Sequence, residues 1–119
     1  MYRKEFILCA AIWYDDKKKH DLQPKNIRTG FVVAGRRHAD CYATVKALLG
    51  IDGAIELKKN IIAEMENKTD HNLHQGFLTS ANRYVGRGEA FRIAKRNSQL
   101  KLKYVRRTTS PELYSEDLY

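Results

Sequence analysis

The run from Phe6 to Trp13, FILCAAIW, is apolar at nearly every position and contains Phe, Ile and Trp. It constrains the fold more than any other stretch. A short, unbroken apolar run has no face to offer to water, and its aromatic and β-branched content favours a buried strand over the competing helix. The charged DDKKKH that follows, residues 15–20, reads as a turn. Pro24, Asn26 and Gly30 mark residues 21–30 as a connection or an irregular sheet edge, since their backbones are either restricted or unusually permissive. GFVVAG, residues 30–35, reads as a second short buried strand bracketed by glycines.

From Ala39 the apolar period changes from that of strands to that of helices. Cys41, Val45, Leu48 and Leu49 fall at helical spacing, and Gly50 stands where a left-handed residue would end the helix. A second helix is expected from about Gly53, with Ala54, Leu57, Ile61, Ile62 and Met65 along one stripe. Both stripes are expected in the core. ENKTDHNLHQ, residues 66–75, reads as a polar loop, and GFLTSANRYV as two short extended pieces joined by a turn at Ser80 to Asn82. Arg87 to Ser98 forms an amphipathic helix, with Ala90, Ile93, Ala94 and Asn97 on one face and Arg92, Lys95, Arg96 and Gln99 on the other. The expectation is an α+β domain spanning residues 1–119, a small, largely N-terminal antiparallel sheet packed with two to three helices. A chain of 119 residues suits one modest core.

Charge is the second constraint. The formal net charge is +8, a balance that favours anionic partners. Arg83, Arg87, Arg92, Lys95, Arg96, Lys101, Lys103, Arg106 and Arg107 are opposed between residues 83 and 107 only by Glu89. The end of the chain turns acidic, with Glu112, Glu116 and Asp117, so the tail is expected to fold back on the basic segment of its own or a neighbouring chain. No apolar run is long enough to span a bilayer. The basic and apolar N-terminus lacks the length and cleavage site of a signal peptide. Cys9 and Cys41 form no disulfide framework, and both are expected as buried free thiols in a reducing cytoplasm.

Catalytic and metal motifs are weak. His71 and His74 would share a helix face, but no neighbouring Cys or carboxylate cluster completes a metal shell. His38 and Cys41 are too close in sequence to resemble the usual nucleophile and base, so Cys41 is expected in the core with His38 capping or flanking a helix. GRGEAF has only two glycines of a dinucleotide fingerprint. A phosphate-cradling Gly-rich loop ending in Lys and Ser or Thr is absent, as are the paired His-x-Thr or His-x-Ser elements of two-histidine phosphodiesterases. What remains is a constellation of arginines with Phe77, Tyr84, Phe91 and Tyr104 interleaved, and Arg28, Arg36 and Arg37 near the second strand. Arginine pairs bidentately with phosphate and an aromatic face stacks on a base, so such a set recognises nucleotides without catalysis. Arginines at helical spacing are also the ordinary solvated face of a helix, and a lone Phe is ordinarily core.

PKNIRTGFVVAGRRHADC, QGFLTSANRYVGRGEAFRIAK and the terminal LYSEDLY, in this order, resemble the small phage proteins of the first-described Thoeris anti-defence family. The resemblance runs over most of the chain from Pro24 onward. It implies a non-enzymatic sponge with no cofactor that sequesters cyclic ADP-ribose isomers, the messengers made by TIR-domain proteins, in the cytoplasm of the infected bacterial host. It further implies a homodimer or higher homo-oligomer with ligand pockets between subunits, and in some members a separate site for cyclic oligonucleotides. By matching motif, Arg28 would contact phosphate, together with either Arg106 or Arg107. Phe77 and Asn82 would meet base or ribose, with Arg83 and Arg87 as further ligand contacts. Gly86 and Gly88 depart from the polar residues of the pattern. Two other readings stand beside this one: a basic nucleic-acid-binding module that tracks phosphates, and an inhibitor that binds a protein through the acidic SPELYSEDLY tail.

Overall fold

The computed structural model describes residues 4–64, 74–100, 112–114 and 118. Strand β1 is Ile7–Tyr14, β2 is Phe31–Gly35, and helix α1 is His38–Glu64; then come β3 at His74–Thr79, β4 at Tyr84–Gly86 and helix α2 at Arg87–Arg96. The strands form one antiparallel sheet in the order β2-β1-β3-β4. The fold is therefore α+β as expected, and two of its four strands come from residues 74–86. The extended pieces around the Ser80 to Asn82 turn are β3 and β4, and Asn82 adopts the left-handed φ of 58° that such a turn uses.

The apolar run is the inner strand β1, with a neighbour on either side. Ala10, Ile12 and Tyr14 point to one face, opposite Gly35, Val33 and Phe31 on β2 and, for Ala10, Phe77 on β3. The register shifts at Leu8: Ile7 opposes Thr79 and Cys9 opposes Leu78. This bulge reverses the alternation, so Ile7 shares the core face with Ala10 and is buried, while Leu8 is exposed. The helices cover that face. Cys41, Val45 and Ile61 of α1 and Ala90, Phe91, Ile93 and Ala94 of α2 join Phe77 and Val85 in the core. Phe77 and Phe91, two aromatics of the expected nucleotide-binding set, are core residues here, at 0% and 5% exposure.

The opposite face is crossed by the connection between β1 and β2. Gln23 Oε1 accepts from the Val32 N–H at 2.8 Å. Asn26 donates to the Tyr84 carbonyl and accepts from its N–H, at 2.6 and 2.9 Å. These contacts fall on strands at opposite edges of the sheet, so the connection spans its width, and its Pro24 is buried. Asn26 copies a strand's pairing at an edge, satisfying backbone groups that would otherwise be open to another chain. The Tyr84 ring reaches Trp13, with centroids 6.1 Å apart. This path exists because residue 76 is glycine: a Cβ there would lie 2.6 Å from Tyr84 Oη and 2.3 Å from the Val85 carbonyl oxygen.

The break expected at Gly50 is present: two helical segments meet there across a kink, and Gly50 has the positive φ foreseen, 78°, although its ψ of 170° is extended and not that of a left-handed helix. The kink leaves Leu48 and Leu49, expected in the core, exposed to 77% and 50%. Past it, Ala54 and Leu57 pack partly buried against the core and Ile61 is buried. Met65 of that stripe lies outside the described residues.

Candidate ligand site

Antiparallel pairing sets two of the expected ligand contacts, Arg28 and Arg87, toward one end of the sheet, at its opposite edges. Tyr14 ends β1 opposite Phe31, the first residue of β2. Gln75 and Gly76 of β3 oppose Ile12 and Ala11, and Gly86, the last residue of β4, opposes Gly76. Arg28, three residues before β2, and Arg87, the first residue of α2, therefore emerge at the same end. Asn82 and Arg83 lie in the turn at the other end, and Phe77 sits in the core between. Arg106 and Arg107 lie outside the described residues.

Arg28 is exposed, on backbone held from both sides. The Trp13 indole donates to the Thr29 carbonyl at 2.9 Å, and Thr29 Oγ1 donates to Asp15 Oδ1 at 2.8 Å. Burial works against the Asp15 charge, but hydrogen bonds from Lys17 and Thr29 outweigh it and hold the carboxyl below its usual range. Next to this, Gly30 at φ 82° packs where a Cβ would lie 2.6 Å from both Trp13 Nε1 and the Tyr14 carbonyl. The position of Arg28 is set by its neighbours, while its guanidinium has no hydrogen bond or ion pair among the described residues.

Arg87 is the hub of the other half. Its Nη1 donates to the Leu113 carbonyl at 2.8 Å, and its Nη2 donates to Gln75 Oε1. Its guanidinium carbon lies 4.4 Å from the centre of the Tyr114 ring. Gln75 in turn donates to Tyr42 Oη at 2.7 Å, which carries the network onto α1. The Leu113 N–H donates to the Arg87 carbonyl at 2.9 Å, and Leu113 itself is fully buried. Residues 112–114 fold back on the start of α2, through Leu113 and the Tyr114 ring; Glu116 and Asp117, two of the acids to which the sequence pointed, lie outside the described residues.

Arg83, the other arginine of this stretch, is committed elsewhere. It donates through Nε and Nη2 to the two Glu5 carboxylate oxygens, each at 2.9 Å, and to Glu89 Oε1 at 2.9 Å. Thr79 Oγ1 donates to Glu5 at 2.6 Å. The Arg83 and Thr79 bonds hold the Glu5 carboxyl down at about 2. This network ties the N-terminus to the β3–β4 turn and the start of α2, so at the far end of the sheet Arg83 serves packing.

Chemistry beyond binding has little to work with among the described residues. Burial pushes the Cys41 thiol up to about 11 and also raises that of Cys9, so neither is the thiolate a nucleophile requires. His38 is buried at the start of α1 with Nε2 2.9 Å from the Gly76 carbonyl oxygen. His20 is paired with Asp16 at 2.8 Å on the surface. No group of three metal-ligating side chains occurs among the described residues, and no helix there is long and apolar enough to cross a membrane.

Tyr42, Gln75 and Leu113 were missed in the sequence. Tyr42 adjoins the core position Cys41 on a helix, and Gln75 ends what reads as a polar loop; neither carries a spacing signal. The terminal LYSEDLY held the one visible clue, an aromatic next to a segment of opposite charge. The family model described as Phage T4 y16D protein matches residues 6–119. No curated protein and no solved structure matches.

Proposed function

The chain belongs to the Phage T4 y16D protein family, and from that premise we propose that it is a phage anti-defence protein that sequesters TIR-derived cyclic ADP-ribose without cleaving it, so blocking Thoeris immunity. The observation that carries this reading is the preset Arg87. Two of its five N–H donors are used, on Leu113 and Gln75, and they orient the guanidinium while leaving donors for phosphate oxygens. Tyr114, 37% exposed beside Arg87, supplies an aromatic ring for a base, and Arg28 adds a second cation toward the same end of the sheet. A sponge needs tight, slow-releasing contacts and no nucleophile. Protonated thiols and a histidine tied to a carbonyl suit that requirement.

The test uses the product mixture of a Thoeris TIR enzyme, incubated with the purified protein and filtered. The filtrate is expected to lose effector activation, and heating the retained protein is expected to return it intact. Activity that is lost and never returns would mean cleavage; activity that stays in the filtrate would overturn sequestration. Arg28→Ala is expected to abolish capture with the circular dichroism spectrum unchanged, and undiminished capture by that folded variant counts against the assignment of the site.

A second reading has its own observation. Arg92, Lys95 and Arg96 are all exposed on the outer face of α2, a stripe suited to the phosphates of a nucleic acid. Binding of that kind weakens steeply with salt, because each phosphate contact releases a counterion. Affinity for DNA or RNA that is undetectable or insensitive to salt disposes of it.

A further inference from the structure

The bend at Gly50 encloses a hollow that a straight helix could not. On a helix that turns about 100° per residue, Tyr42, Val45 and Lys46 stand roughly opposite Ile51, Ala54, Ile55 and Lys58. All of them nevertheless line one cavity of about 250 Å³ against Tyr14 of β1. That is below the ~300–1,000 Å³ of drug-sized sites and above the ~150 Å³ that admits a single benzene ring. It leaves room for one ring with a short group at each end.

The walls are apolar apart from two hydroxyls, and both have a proton to give. Tyr14 is 2% exposed, and burial, with Tyr42 and Cys41 nearby, pushes its phenol up to about 12, so it stays protonated. Its hydroxyl has no hydrogen-bond partner among the described residues. Among them the one side-chain polar atom that is both sealed off and unpaired is Asn97 Oδ1, so the Tyr14 hydroxyl keeps an opening, and the cavity is what its residue lines. The Tyr42 hydroxyl accepts from Gln75 Nε2 at 2.7 Å, an orientation that Arg87 fixes by holding the other end of the same amide. The proton of Tyr42 is therefore unused as well. At the mouth the charge is of one sign. Lys46 and Lys58, both exposed, line the cavity, whereas Asp52, Glu56 and Lys59 of the same segment are exposed and do not.

We propose that this cavity binds a small one-ring carboxylate that carries a carbonyl oxygen at the end away from its charge. The ring lies between Val45, Ala54 and the two isoleucines, the carbonyl oxygen uses its two lone pairs on the two phenols, and the carboxylate meets the lysines. The site is separate from the one at Arg28 and Arg87, and touches it only through the Tyr42 bond to Gln75.

NMR titration of the full chain with 4-acetylbenzoate tests this. Binding is expected to saturate with a Kd of about 0.1–1 mM, as a dozen or so heavy atoms allow, with shifts centred on the Tyr14, Tyr42 and Ala54 amides. 4-Isopropylbenzoate, which has the same shape without the acceptor, is expected to bind about tenfold more weakly, and neutral 4-acetylbenzamide several-fold more weakly. Tyr14→Phe keeps the ring and is expected to shrink the preference for acetyl over isopropyl to about threefold. Lys46→Gln combined with Lys58→Gln is expected to erase the preference for acid over amide. If Tyr14→Phe fails to fold, the ranking of the three compounds by the parent chain still decides. No saturable binding of 4-acetylbenzoate, equal binding of its isopropyl counterpart, or an acid preference that outlives both lysines each overturns the proposal.

Discussion

Replacing Arg87 with alanine removes the side chain that joins α2, β3 and the tail. The loss can be worked from its three contacts. The hydrogen bonds to the Leu113 carbonyl and to Gln75 Oε1 are charge-assisted but part-buried, worth about 1 kcal/mol each after screening. The stack on Tyr114 at 4.4 Å adds about 0.5–1 kcal/mol at a site of this exposure. The sum, about 2.5–3 kcal/mol, falls on docking of the tail, because the Leu113 N–H bond to the residue 87 carbonyl survives the substitution and the rest of α2 is held by its own buried face. Hydrogen exchange at the Leu113 amide is the direct readout, and its protection is expected to drop about 60- to 150-fold. Arg87→Lys is expected to recover little, since an ammonium cannot serve both acceptors as the planar fork does. A cycle with Tyr114→Leu separates the stack from the hydrogen bonds and should show coupling of about 0.5–1 kcal/mol. Unchanged Leu113 protection in Arg87→Ala, or strict additivity in the cycle, would refute the reasoning.

Two further outcomes concern the frame on which the site rests. Glu5 is held at about 2 in the folded chain against an ordinary 4.5, so its contribution is complete above 4.5 and is lost as pH falls toward 2. Glu5→Gln should be about 1–2 kcal/mol less stable than the parent at neutral pH, the full shift being discounted because Glu5 and Arg83 keep some solvent contact; urea titrations should show that gap closing across the same range, and a gap independent of pH would remove the ion pair as its cause. Gly76→Ala must displace the Val85 carbonyl or Tyr84 and is expected to cost about 3 kcal/mol or more, whereas Gly86→Ala, with nothing within 4 Å of the new carbon, should melt close to the parent. Equal melting temperatures for the two would mean that Tyr84 does not lie over residue 76.

Much of the architecture was legible in sequence because it depends on local period. The unbroken run at Phe6 to Trp13, the change to helical spacing after Ala39 and the buried face Ala90, Ile93 and Ala94 follow from which neighbours can share a face, and the turn at Ser80 to Asn82 from local turn chemistry. The candidate site was legible only in part. Arg28 and Arg87 stood out by charge and residue type, but that β2 begins and β4 ends at the same end of the sheet, at opposite edges, depends on antiparallel register, which also places Asn82 in the turn at the other end.

By itself, then, the sequence determined the elements, the α+β class and the basic character, since propensity, hydrophobic period and charge are properties of short stretches. Tertiary structure alone decided which arginine is spent on a carboxylate and which is held by a carbonyl and an amide, because Glu5 meets Arg83 across 78 residues and Leu113 meets Arg87 across 26. It also decided that Leu48 and Leu49 face outward: the direction in which the chain leaves Gly50 depends on a ψ angle that the identity of a glycine, with its open conformational map, leaves undetermined.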